Sequence, residues 1–69
     1  IMAMYSAQIV FDYSVIYVNP WVSSATNEED LENEALEQLF DSYYPELTKK
    51  QEKELTSLVQ SIEVELQSD

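Results

Sequence analysis

The chain reads as a small α+β domain. A long N-terminal β segment, about residues 4–18, precedes an antiparallel two-helix hairpin, about 27–43 and 49–66. Two observations predict this: the apolar period is two residues up to Val18 and helical afterwards, and each helical stretch is preceded by a capping signal.

From Tyr5 to Val18 every odd position is apolar or aromatic: Tyr5, Ala7, Ile9, Phe11, Tyr13, Val15 and Tyr17. The even positions are mixed. Side chains on a strand point alternately to opposite faces, so the odd set is expected to form one aromatic-rich core face. The β-branched and aromatic content suits a pleated, half-buried surface. Asn19-Pro20 ends the segment, because proline lacks a ladder donor and restricts the residue before it.

The length of this segment raises a question of pairing. A single strand of fourteen residues would run roughly 46 Å, whereas a helix over 49–66 covers only about 27 Å. Two arrangements answer it. The strand pairs with its copy in another subunit, or it folds back as a hairpin around Asp12-Tyr13-Ser14. The first is preferred, because the chain has no glycine and the common two-residue hairpin turns want one.

Thr26 with Glu29 three residues on has the form of a capping box, and Leu31, Ala35, Leu36, Leu39, Phe40 and Tyr43 follow on one helical face. Pro45 closes that helix. Thr48 and Gln51 repeat the signature, with Leu55, Leu58, Val59, Ile62 and Leu66 as the second stripe and Val64 left off it. The link around Tyr44 to Leu47 is short, so the helices are expected to lie antiparallel. The whole of 1–69 reads as one domain. Residues Ile1 to Ala3, ahead of a start at Met4 or Met2, read as a leader remnant.

Composition excludes many functions. The chain has no histidine, cysteine, glycine or arginine. That removes zinc and thiolate sites, histidine-based catalysis, disulfides, glycine-rich phosphate loops and bidentate guanidinium clamps. No catalytic, cofactor-binding or metal-ligating residue is assigned, no cofactor is expected, and the chain is not expected to be an enzyme. The absence of cysteine accords with a cytoplasmic location. The longest apolar runs, Ile9 to Phe11 or Val15 to Val18 with tyrosine included, fall far short of the roughly 20 residues of a membrane-spanning helix. A chain this short buries only about 60% of its unfolded surface, so a homo-oligomer, dimer or higher, is the expected source of extra stability.

Charge adds a second theme. Fourteen acids against three lysines give a net charge of −11, which repels nucleic acid and anionic lipid. Neither direct nucleic-acid binding nor a membrane is expected; a basic protein is the partner that such charge would select. Asp30, Glu34, Glu37 and Asp41 are spaced as a ladder along the outer face of the first helix. Lys49, Lys50 and Lys53 open the second helix, near Glu37 and Asp41 in an antiparallel pair, while Glu63, Glu65 and Asp69 crowd its end. Glu28, Glu29, Asp30 and Glu32 are thereby expected to meet Glu63 and Glu65 in an acidic pole, the candidate partner-binding surface. The candidate subunit interface is Tyr5, Ile16, Val18, Trp21 and Val64.

The functional expectation is a small acidic, self-associating structural or accessory protein, oligomerising through its strand. The alternative is an acidic inhibitor or adaptor that docks on a basic nucleic-acid-binding protein by presenting carboxylates where phosphates would sit.

Overall fold

The computed structural model describes residues 2–67; Ile1 of the expected leader and Asp69, expected at the acidic end of the second helix, lie outside them. The element order is β1 (Ala3–Val10), β2 (Val15–Ser23), α1 (Glu28–Tyr43), α2 (Lys49–Thr56) and β3 (Ser61–Leu66). The strands form one antiparallel sheet of order β2-β1-β3. The outer strands β2 and β3 therefore run parallel to each other with β1 between them, and the chain joins them through the helices.

The N-terminal segment is a hairpin, not one long strand. Its turn is Asp12-Tyr13: Val10 pairs with Val15, and Phe11 N–H donates to the Ser14 carbonyl at 2.9 Å. No described residue has positive φ, so the chain reverses without the primed turn that would have needed glycine. The turn is anchored from β3's side: Gln60 Nε2 donates to Asp12 Oδ1 at 2.7 Å and Gln60 N–H to the Val10 carbonyl at 2.7 Å. The long axis of the described molecule is 34 Å, less than the roughly 46 Å a single strand would have required. β1 finds both of its partners within its own chain.

Reversal also shifts the parity of the core face. On β1 the odd residues Tyr5, Ala7 and Ile9 face the helices, as expected. On β2 it is Ile16 and Val18 that lie opposite Ile9 and Ala7. Val15 and Tyr17, expected inside, are exposed, and Tyr13 at the turn is fully exposed (101%). Between Val18 and Trp21 the register slips by one residue, since Ala7 pairs with Val18 and Tyr5 with Trp21. This is a β-bulge at Asn19-Pro20, and it returns the odd residues Trp21 and Ser23 to the buried face. Proline is tolerated there because β2 is an edge strand.

Helix α1 covers one face of the sheet. Ala35 and Leu39 join Ala7, Ile9, Val18 and Trp21 in the core, with Ile62 and Val64 of β3 packed against it. The N-cap is Asn27 rather than Thr26: its Oδ1 accepts from Asp30 N–H at 2.8 Å, and its Nδ2 donates to the Asp30 carboxylate at 3.0 Å. Thr48 caps α2 as expected, in a capping box with Gln51.

The second helix stops at Thr56, and 61–66 is a strand. This overturns the continuous helix over 49–66. Ile62, Val64 and Leu66 alternate with Ser61, Glu63 and Glu65, so a strand puts every apolar residue of the segment on one face, whereas a helix leaves Val64 off its stripe. The open side of β1 decides between the two periods by offering ladder partners for Ser61 to Leu66. Ala3, expected outside the fold, pairs with Ser23 in β1.

Candidate interaction surfaces

Three surfaces are candidates for interaction. The first is apolar and lies where α2 passes the β1–β2 turn. α2 has no buried residue. Two depressions of about 340 and 360 Å³ share Tyr44, Leu55 and Leu58 and so form one groove, with Phe11 and Ile16 on the turn's side and Leu47 on the other. Leu58 remains 55% exposed. Asp12 and Glu54 are the acids on its margin. The three lysines all stand on α2, but none lines the groove; Lys49 lines a separate cleft.

The second surface is the uncovered face of the sheet. By register it carries Ser6 and Gln8 in the middle, with Glu65 and Glu63 beside them on β3 and Tyr17 beside Gln8 on β2. Gln67 Nε2 donates to Ser6 Oγ at 2.6 Å and Gln8 Nε2 to the Tyr17 hydroxyl at 3.0 Å. These bonds give the face a polar centre, as expected of an antiparallel sheet with one solvated side. Met4 with Val22 at one end and Val15 at the other are its exposed apolar residues.

The third surface is the set of carboxylates expected to form one pole. Glu28, Glu29, Asp30 and Glu32 occupy the first turns of α1. Glu65 lies near the same end of the sheet, since Leu66 pairs with Tyr5 at the start of β1. Glu63 and Glu65, however, share the open face with Ser6 and Gln8, while α1 packs on the opposite face. The sheet thus separates the two groups. Glu34 is not on the outer ladder either: it is half-buried, and its Oε1 accepts from Trp21 Nε1 at 2.9 Å. Lys49 does share a cleft with Glu37 and Asp41, but its ion pair is with Glu52 at 3.7 Å.

Of the candidate interface residues, Val18 and Trp21 are buried within their own chain, and Tyr5, Ile16 and Val64 pack against the same core. Tyr5 lies against Trp21 with ring centroids 6.3 Å apart. The bulge that turns Trp21 inward leaves no reliable mark in the sequence beyond Pro20. The groove's residues were legible only as apolar positions, because which of them α1 would leave uncovered depends on where α2 ends.

Among the described residues no group of three or more carboxylates is placed to hold a metal ion, and no helix is long and apolar enough to cross a membrane. No protein-family model matches the chain, and no curated protein or solved structure matches it.

Proposed function

We propose that this protein acts by binding rather than by catalysis, as a small acidic accessory protein that self-associates through the groove between α2 and the β1–β2 turn. The observation that carries this is a helix with no buried residue, whose Leu55 lines an apolar groove together with Leu58 just beyond its end. Exposed apolar surface of that kind is favourable to cover. Asp12 and Glu54 are the charged residues that line the groove, so two copies of a chain carrying −11 should associate more tightly as salt screens their repulsion. Association through β1, the segment expected to pair across subunits, is less favoured, because both sides of β1 are filled within the chain. A cytoplasmic location accompanies this reading, since nothing in it requires an oxidising compartment.

Sedimentation equilibrium tests it. The protein should associate reversibly, and Leu58→Glu should return it to monomer without loss of helix or strand content. A wild-type protein still monomeric at about 1 mM, equivalent to an association weaker than roughly −4 kcal/mol, refutes it.

A second reading, docking on a basic protein, draws on one further observation. No base stands outside Lys49 to Lys53, so residues 1–48 carry only acidic charge. Electrostatic steering would speed encounter with a basic surface. Binding of such a partner that does not weaken with salt would count against it.

A further inference from the structure

We propose that the outer edge of β3 is a docking site for an extended segment of another protein in which lysine or arginine alternates with apolar residues. The proposal stands apart from self-association through the groove, and a monomeric protein would satisfy it equally.

The sheet has two outer edges, and they differ. The β2 edge is obstructed: it carries the bulge at Asn19-Pro20, Pro20 has no N–H to offer, and the Tyr43 hydroxyl donates to the Tyr17 carbonyl at 3.1 Å. Bulges and prolines of this kind protect edges from pairing. β3 has none of these features. It runs from Ser61 to Leu66 without proline or a register slip.

The direction of its free groups follows from the ladder. Gln67 N–H donates to the Met4 carbonyl at 2.8 Å. In an antiparallel pair the hydrogen-bonded residues alternate, so Glu65, Glu63 and Ser61 turn their backbone groups to β1. Those of Ile62, Val64 and Leu66 turn outward, and among the described residues nothing is bonded to them. An added strand would find three residues' worth of donors and acceptors in line, which is the requirement for β-strand addition.

Side chains select the occupant. On the open face, Glu63 and Glu65 would stand beside alternate residues of the incoming strand, and cross-strand pairs of opposite charge are favourable. On the other face Leu66 is 60% exposed and would be covered by the intervening apolar residues. A second copy is the wrong occupant. Antiparallel β3–β3 pairing about Val64 places Glu63 opposite Glu65 twice, and like charges directly opposite are destabilising.

The test is titration of the full chain with a capped peptide alternating lysine and valine over the length of β3, followed by amide NMR shifts and hydrogen exchange. The expected result is binding that slows exchange at Ile62, Val64 and Leu66. A glutamate–valine peptide should not bind. In Glu63→Lys with Glu65→Lys, both at exposed positions, affinity for the lysine peptide should fall on the order of tenfold or more, and the glutamate peptide should bind instead. Three results would overturn the proposal: no binding of the lysine peptide, binding whose protection maps to the α1 carboxylates instead of β3, or equal binding by the charge-reversed variant.

Discussion

Leu39 and Leu66 both sit on apolar helical stripes in the sequence, yet the fold treats them oppositely. Leu39 of α1 is fully buried against the sheet, while Leu66 ends β3 with 60% of its surface exposed. Leu39→Ala removes a buried isobutyl group from a packed core, at a cost of about 2–5 kcal/mol in transfer and cavity terms. Sixty-nine residues at ordinary stabilities hold roughly 3.5–10 kcal/mol in all, so this one change consumes a large share. Leu66→Ala should stay within about 0.5 kcal/mol, as exposed substitutions do. Urea unfolding followed by the fluorescence of Trp21, the single tryptophan, reads both. With a slope near 1 kcal/mol per molar for a chain this small, Leu39→Ala should lower the midpoint by about 2 M or more. Equal losses for the two variants would refute the reasoning, since a second helix continuing to residue 66 would bury Leu66 on its stripe.

Two further predictions follow from single hydrogen bonds. Glu34→Ala leaves the Trp21 indole N–H without its acceptor beneath α1 and should cost about 1–3 kcal/mol; Glu34→Gln keeps an acceptor oxygen and should recover most of it, with the Trp21 emission maximum as a second readout. Thr48→Ala removes the cap of α2 and should cost about 1 kcal/mol locally. Because α2 buries no residue, amide exchange should quicken in Lys49 to Thr56 while Ile9 and Leu39 keep their protection.

The acidic surfaces show how far a charge pattern can be carried without a fold. The acids of α1's first turn are where the sequence places them, since a helix terminus is a local matter. Their meeting with Glu63 and Glu65 depends on what the last third of the chain becomes. As a helix it would have brought its end beside α1's start on one side of the molecule. As the third strand it puts those glutamates on the far face of the sheet, beside Ser6 and Gln8. Glu34 makes the same point within one helix: its spacing assigns it to an outer ladder, and an indole on a neighbouring strand draws it in.

By itself, the sequence determined the α+β class, the first helix and its apolar face up to Phe40, the cap that opens the second, the residue types the chain lacks and the sign of its charge. Each of these depends on residue identity or on partners within a turn of helix. The tertiary structure alone decided three things. It placed a reversal at Asp12-Tyr13, where no glycine announces a turn, and a bulge at Asn19-Pro20 that changes which residues face inward. It also made Ser61 to Leu66 a strand. Ile62 and Leu66 satisfy a helical period and a strand period equally. Only the unfilled ladder of β1, far away in sequence, supplies the hydrogen bonds that break the tie.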